Sequence, residues 1–433
     1  MESVWMDVQL PHFAPLEGDI STDVLIIGGG MAGLLCAHKL AKAGINCVIA
    51  EASVIAGGVT KNTTAKITSQ HGLIYHKLAH RFGLRTAGLY LEANERAVFA
   101  YRALCEGIDC DYCQQDNFLY SRHDRTILEK EFSCLQSLGF PVRLDDNLPL
   151  PFPTVGAVIF PRQAAFHPLK FLAFVAQSLT IFEHTPVREL AKGYAVTDHG
   201  TIHAEKIIVA THFPFLNKHG SYFLKLYQQR SYAIALKGAQ ELTGMYLDEA
   251  ENGLSFRMHQ GQLILGGGGH RTGKQGGGWQ ELEAFAAKNY PDAQITHRWA
   301  TQDCMSLDGI PYIGQYSTRT PDLYVATGFN KWGMTSSMVA AQVLTDLIQG
   351  KANPCADIFS PSRSILYPQL GINALESTKN LLTPTAPRCP HLGCALKWNP
   401  HERSWDCPCH GSRFTEAGKL IDNPATGDLK KRE

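Results

Sequence analysis

What this 433-residue sequence lacks narrows the field first. Lys plus Arg and Asp plus Glu both number 40. No net field therefore draws the chain to nucleic acid or to an anionic membrane surface. No apolar run reaches the length of a membrane span. Met1 to Gly18 hold no basic stretch followed by an apolar one, which argues against a secretory signal. These absences point to the cytoplasm. There is no internal repeat and no low-complexity tract. What the chain does have is a surplus of cysteine, 12 in all. Eight are scattered (Cys36, Cys47, Cys105, Cys110, Cys113, Cys134, Cys304 and Cys355) and read as small, mostly buried hydrophobes. Cys389, Cys394, Cys407 and Cys409 are clustered and need another explanation.

Near the N-terminus, Asp23 to Ile27 (DVLII) reads as a buried strand. Gly28-x-Gly30-x-x-Gly33 follows, then a helical pattern that Gly44 stops. Ile45 to Ala50 is a second buried strand, ending at Glu51. This is a parallel strand–helix–strand unit. Its first glycine permits a tight turn, its second lets backbone approach a pyrophosphate, and its third lets helix and strand pack closely. Glu51 stands where an acidic residue would hold ribose hydroxyls. A second glycine cluster, Gly266 to Gly269, also follows a strand. The residues after it, through Gly276 to Gly278, do not read as a helix start, so the cluster is expected to be a loop. One dinucleotide fold without a separate nicotinamide domain points to FAD rather than NAD.

Further along, His71 to Leu104 and Phe166 to Leu179 read as helical, and 140 to 160 as loops and short strands. Lys206 to Ala210 and Leu323 to Ala326 are buried strands, the latter leading through Thr327-Gly328 into a helix from about Thr335 to Ile348. Residues 222 to 270 alternate as an antiparallel sheet. Gly350 to Pro361 is a linker, followed by a short helical piece, Ile372 to Leu382.

The pieces DVLIIGGGMAG with Glu51, Gly57-Gly58 before TTAKITSQHG, IIVATH, and DGIPYIGQYS with LYVATGFNKWGMT span roughly residues 20 to 350. In these the chain resembles FAD-dependent oxidoreductases of the D-amino acid oxidase/glycine oxidase superfamily. The resemblance implies an α/β (α+β composite) architecture. A Rossmann-type FAD-binding domain (about 20–75, 160–212 and 300–350) would interleave with an antiparallel-sheet substrate domain (about 76–159 and 213–299), within residues 1–350. It also implies that Gly58, Thr63, Thr64, Lys66, Gly328, Trp332, Gly333, Met334 and Thr335 lie near the flavin, and that the Val187 backbone meets adenine. Lys66 would put positive charge by the flavin, unless it is a surface lysine. In the middle sheet Arg230, Tyr232, Arg257, His270 and Arg271 are substrate-site candidates. An arginine there would clamp a carboxylate, with surface salt bridging as the plainer role. Arg257 and His270 join Lys66 as catalytic candidates. His167 is a candidate for the flavin face.

The C-terminal segment reads Cys389-Pro-His391-Leu-Gly-Cys394, then Cys407-Pro-Cys409-His410-Gly-Ser412. Two Cys and two His could hold zinc. Zinc-finger order, though, usually puts a Cys pair before a His pair, whereas here each half offers one of each. That suits a Rieske centre, with two thiolates on one iron and two imidazoles on the other. Over about residues 386 to 427 the segment closely resembles Rieske proteins. The resemblance implies a [2Fe–2S] cluster on Cys389, His391, Cys407 and His410, and a bracing disulfide between Cys394 and Cys409. It implies a Ser412 hydroxyl bonded to cluster sulfur. Phe414 stands where high-potential members have tyrosine, so a lower potential is expected. The preceding residues lack the usual base strands. A small all-β module (381–433) after a linker and short helix (351–380) makes a poor core alone and should dock on the flavin domain.

His71, His76 and His80 have no carboxylate at suitable sequence spacing, which argues against a metal site. Cys110-x-x-Cys113 reads as buried or incidental cysteines. Joined, the two centres imply a flavin-dependent oxidoreductase. It would move electrons between a small organic substrate, amine or amino acid-like by resemblance, and a one-electron partner. An oxidase with a structural cluster, and a non-enzymatic carrier or sensor, are the alternatives.

Overall fold

The computed structural model describes residues 2–216, 219–384 and 387–430. The strand Ile20–Ile27 carries four consecutive fully buried residues at its end, Val24 to Ile27. Such a run needs cover on both faces and lies central in a parallel sheet. Cys47–Ala50 pairs with it on one side and Gly200–Val209 on the other, both parallel. Leu323–Thr327 and Thr180–Phe182 extend the parallel set, and Tyr312–Gln315 closes one edge antiparallel. The helices Met31–Lys42 and Gly333–Ile348 pack against each other over this sheet.

A second, nine-stranded sheet stands beside the first. Its long strands Gln294–Ser306, Leu226–Lys237 and Gln262–Arg271 run antiparallel. It continues through Ser255–His259, Met245–Asp248, Cys113–Ser121 and Gly156–Ala165 to Lys66–Ile67. The chain enters this sheet from the dinucleotide half several times, so the two halves interleave.

Several expected boundaries shift. The glycines Gly266 to Gly269 form the end of a strand rather than a loop. A helix, Gly278–Asn289, does begin after them. A Cβ on Gly268 would collide with the Gly278 backbone, so the glycines serve close strand–helix packing. The pairing there is antiparallel, unlike a dinucleotide fold. The helical span after His71 divides into Tyr75–Phe82 and Leu84–Cys105, because Gly83 sits at φ +86°.

The helix Pro368–Leu382 is longer than expected and presents its polar side inward. Asn373 and Asn380 are buried while Ile372, Leu375 and Leu382 are exposed. The inward side meets polar groups: Asn373 Oδ1 accepts from Arg271 at 3.0 Å, and the Asn380 carbonyl accepts from Ala395 N–H at 3.0 Å. Beyond it lies a four-stranded antiparallel sheet of Lys397–Asn399, Ser404–Asp406, Arg413–Thr415 and Leu420–Asp422. No strand precedes Cys389 in this module among the described residues; only a bridge joins Arg388 to Ala395.

The module's core is small and centres on Cys389, Cys394, Leu396, Cys407, Cys409, Phe414 and Ala425. Its seat on the long strands supplies what that core lacks. Glu402, buried, receives Arg230 through both a 3.0 Å Nε bond and a second guanidinium contact. Tyr232 Oη donates to it at 3.0 Å and Arg413 Nη2 at 2.8 Å. Arg413 also binds Asp406 and Asp422, at 3.0 Å each. Burial works to raise the Glu402 pKa, but Arg230 and Arg413 hold it down at about 2.

Removing the Glu402 charge leaves the buried Arg230 guanidinium without its carboxylate, while Arg413 keeps Asp406 and Asp422. Glu402→Gln is expected to cost about 3–5 kcal/mol and to split a separate, earlier transition from the main one in calorimetry. Because the folded pKa lies below the ordinary 4.5, this contribution is present above pH 4.5 and lost as pH falls toward 2. An unchanged acid limb in the Gln variant would contradict that assignment.

Candidate functional site

One cavity of about 1900 Å³ runs between the two sheets. Its dinucleotide end is built by the first glycine turn. Gly28 has φ +110°, and a Cβ there would meet the Ala210 carbonyl at 2.6 Å. A Cβ on Gly33 would strike the Gly28 carbonyl, so helix and strand touch backbone to backbone. Gly30 has no side chain to cap the helix, and Thr60 Oγ1 accepts from the first helical N–H, that of Met31, at 3.1 Å, while Gly30, Met31 and Ala32 line the cavity. Glu51 lines the same end, held by N–H donors of Gly29 at 2.7 Å and Ser53 at 2.8 Å. Burial pushes its carboxyl upward, against those two bonds. Helix N-terminus, bare glycine turn and the Glu51 carboxylate together fit a pyrophosphate and ribose.

Of the residues nominated for the flavin, Gly28, Gly30, Glu51, Gly58, Thr63, Thr64, Lys66, Val187, Gly328, Trp332, Gly333 and Met334 all line this cavity. Thr335 lies behind it, and its hydroxyl meets His71 Nε2 at 2.9 Å. His71, which sequence reasoning weighed only as a metal ligand, stacks on Trp332 at 4.8 Å between centroids. Its Nδ1 meets Tyr90 Oη at 2.7 Å. Burial drives its pKa to about 3, so the ring is neutral. Lys66 is no surface lysine: Nζ donates to the Tyr246 carbonyl at 3.0 Å. Burial, then the nearby Arg257, lowers it to about 7.

Of the other nominees, Tyr232 lines the cavity, while Arg230, Arg257, His270, Arg271 and His167 do not. Arg257 is buried outside the cavity lining, and its Nη1 donates to the Thr64 and Ala65 carbonyls at 2.8 Å each. It stitches the loop that carries Thr63 to Lys66, with Trp5 beneath it and Trp5 Nε1 on the Thr63 carbonyl at 2.7 Å. Its donors are engaged by carbonyls, so it is not placed to clamp a carboxylate. His270 is likewise off the lining, bound to Tyr232 Oη at 2.9 Å and the Arg271 carbonyl at 2.9 Å. Arg271 reaches the Pro408 carbonyl, at 3.3 Å. His167 caps the helix Pro168–Ala176 and faces Asp7 at 3.0 Å, away from the cavity. His76 does meet a carboxylate, Glu131, at 2.6 Å, but Glu131 also receives the Tyr75 and His76 N–H groups and serves as a helix cap. Cys110 is buried and Cys113 exposed.

The C-terminal centre is two loops of one design. Cys389 N–H donates to the Cys394 carbonyl and Gly393 N–H back to Cys389, at 2.9 Å each. Cys407 N–H donates to the Ser412 carbonyl and Gly411 N–H back to Cys407, again at 2.9 Å. Gly393 at φ +78° and Gly411 at φ +87° permit the turns. Cys394 and Cys409 join the loops as a disulfide. The sulfurs of Cys394, Cys407 and Cys409 lie within 4.8 Å of one another, but the bridged pair cannot serve as thiolate ligands. Cys407 therefore faces Cys389, its hydrogen-bonded neighbour. Bonds from Cys407 and Ser412, with the His391 and Leu392 N–H groups, bring Cys389 down to about 7. The His391 and His410 rings stand 4.9 Å apart at 89°. Burial lowers them to about 4 and about 3, so both are neutral. His410 Nδ1 is buried without a hydrogen-bond partner. Two facing thiols, two neutral imidazoles and an orphaned ring nitrogen fit a cluster with mixed ligands. Phe414 is fully buried in the same core.

Comparison with known proteins agrees with this geometry. The family model described as FAD dependent oxidoreductase matches residues 23–347. The chain belongs to that family. A Rieske [2Fe-2S] domain model matches residues 375–433. Its cofactors are FAD and a Rieske-type [2Fe–2S] cluster. The Bacillus subtilis protein YhfW, named as a Rieske 2Fe-2S iron–sulfur protein, is 34% identical across 99% of this chain and 97% of its own. A cytochrome b6-f complex iron-sulfur subunit of Nostoc is 48% identical over 42 residues, 10% of this chain and 24% of that one. Glycine oxidase from Geobacillus kaustophilus shares the fold at TM-score 0.67 and 22% identity, covering 80% of this chain and 99% of its own. L-proline dehydrogenase from P. horikoshii does so at TM-score 0.66 and 18% identity, over 80% and 98%. No helix among the described residues is long and apolar enough to cross a membrane.

Arg257→Met removes two donors from buried carbonyls of the cavity loop. The expected loss is about 1–3 kcal/mol, with FAD released more readily on gel filtration and cluster content unchanged. Full FAD retention in that variant would show that the loop holds without the guanidinium.

Proposed function

We propose that the chain is a flavin dehydrogenase for a small amine-like molecule, exchanging electrons one at a time with an external partner through its Rieske module. One observation carries this reading. Residues Lys419 to Asn423, Ala425, Thr426 and Asp428 of the module line the same cavity as Gly28, Lys66 and Trp332.

Cys389 and Cys407 would bind one iron as thiolates, and His391 and His410 the other as neutral imidazoles. Gly28, Gly30 and Gly33 would cradle the pyrophosphate and Glu51 the ribose. Bound there, FAD supplies two-electron exchange with a substrate and the [2Fe–2S] cluster supplies one-electron exchange with a partner. One substrate oxidised thus needs two one-electron acceptors, and reduction of a substrate needs two donors. Lys66 would present a positive charge beside the flavin below about pH 7. Neutral His71, locked by Tyr90 and Thr335, would fix the Trp332 ring.

The substrate's charged end follows from the cavity wall. Arg230, Arg257 and Arg271 on the sheet are engaged by Glu402 and by carbonyls, and none lines the cavity. Asp303 does line it, with Ser231 Oγ donating at 2.8 Å, beside Glu249 and Glu251. The buried Thr301 hydroxyl next to it has no partner. Lys66 and Lys331 line the cavity as well, so the ammonium end is assigned to the Asp303 side of the wall. The cavity volume exceeds the roughly 300–1,000 Å³ of an ordinary ligand pocket, which leaves room beyond a cofactor.

Two measurements test the proposal. A substrate amine that bleaches the flavin without oxygen is expected to raise the cluster's paramagnetic signal. A cluster that stays oxidised, with a potential no lower than the flavin's, would sink the linked reading. Rapid peroxide formation that survives His391→Ala would favour an oxidase with a structural cluster. Asp303→Asn is expected to raise KM for the amine about tenfold, roughly one charge-assisted hydrogen bond of 1.4 kcal/mol, with flavin content intact.

A further inference from the structure

Two buried glutamines on neighbouring strands reach across to the second cluster loop. Gln302 Nε2 donates to the Gly411 carbonyl at 2.8 Å, and Thr272 Oγ1 fixes its other end at 3.0 Å. Gln228 Nε2 donates to the carbonyl of His410 itself at 3.0 Å, and to that of Asn423 at 3.3 Å. The fit leaves no slack: a Cβ on Gly411 would meet the Gln228 side chain at 2.6 Å.

What sets Gln228 apart is its other end. Its Oε1 accepts from His212 Nε2 at 3.0 Å. His212 lines the FAD cavity and holds a left-handed backbone at φ +66°. That conformation is uncommon for a residue other than glycine, and neighbouring bonds must maintain it. They are present: Asn423 Nδ2 donates to the Thr211 carbonyl at 2.6 Å and to the Phe213 carbonyl at 2.9 Å, and Thr327 Oγ1 donates to the His212 carbonyl. Asn423 and Thr327 also line the cavity. Phe213 itself lies against both imidazoles, with centroids 6.4 Å from His391 and 6.3 Å from His410.

We infer that Gln228 is the positioning residue that couples the two redox centres. It fixes the His410 loop against the segment Thr211 to Phe213 and completes a polar link from ligand backbone to cavity wall. With both cofactors bound, each transfer across this junction would oxidise the flavin by one electron and reduce the cluster by one, or the reverse. Two transfers balance one substrate, with two molecules of the external one-electron carrier at the far end. The inference rests on the proposed function, since coupling matters only if electrons pass between the centres.

The test uses the full chain carrying both cofactors, mixed anaerobically with less dithionite than the two centres together can take up. The absorbance of each centre is followed as electrons redistribute. Gln228→Met keeps the size but removes donor and acceptor. His212→Asn tolerates the left-handed backbone and leaves the Gln228–His410 bond in place. Both variants are expected to slow redistribution by about 10–100-fold, the range seen when outer-shell partners of metal ligands are lost. Gln228→Met should also shift the cluster's paramagnetic line shape, while His212→Asn leaves it unchanged. Redistribution at the wild-type rate in His212→Asn overturns the link, even if Gln228→Met loses its cluster. Wild-type rate and line shape in a cluster-loaded Gln228→Met overturn the role of Gln228. No redistribution in the wild-type chain removes the proposed function, a result distinct from either.

Discussion

Everything about the second redox centre depends on a carboxylate, Glu402, held almost out of solvent between Arg230 of the nine-stranded sheet and Arg413 of its own module. A module this small has little apolar area to bury, and its core is a handful of residues around the cysteines. Burying a charge is costly unless its partners are positioned to compensate. Here they are, and Tyr232 adds a fourth bond. The interaction therefore ties the module to one orientation on the sheet.

That orientation brings function within reach. The strand carrying Arg230 also carries Gln228 and Ser231, so one stretch of backbone presents residues to the interface, to the cluster loop and to the cavity. The dinucleotide half contributes Thr211 to Phe213 at the same junction. Cluster loop, strand and cavity wall meet at a few residues, and the module needs no movement to bring its ligands beside the flavin domain.

The substrate side follows a different logic from the one expected. A sheet arginine looked like a carboxylate clamp because the residue type suits that task. Yet a buried guanidinium satisfies whichever acceptors lie nearest, and for Arg257 those are the backbone carbonyls of the flavin loop. With the arginines engaged elsewhere, Asp303 stands with Lys66 and Asp248 among the charged residues that this sheet presents to the cavity. Asp303 did not stand out in sequence, and His71, although it lies in TTAKITSQHG and was weighed as a metal ligand, gave no sign there of its stacking on Trp332.

The sequence alone determined the local chemistry. Gly28, Gly30, Gly33 and Glu51 were legible because a phosphate-binding turn needs glycine at fixed intervals. The cluster loops were legible because Cys389 and His391, and Cys407 and His410, lie close along the chain. Even the lack of a module strand before Cys389 among the described residues could be read from lost alternation. Only the tertiary structure decided which side chains share a surface. The fate of Arg257, the glycines that became a strand, the inward polar face of Pro368–Leu382 and the Gln228–His212 link all join residues that no single strand or loop brings together, up to 193 positions apart. Spacing reports neighbours along one strand or loop; it carries no record of which buried donor will find which distant carbonyl.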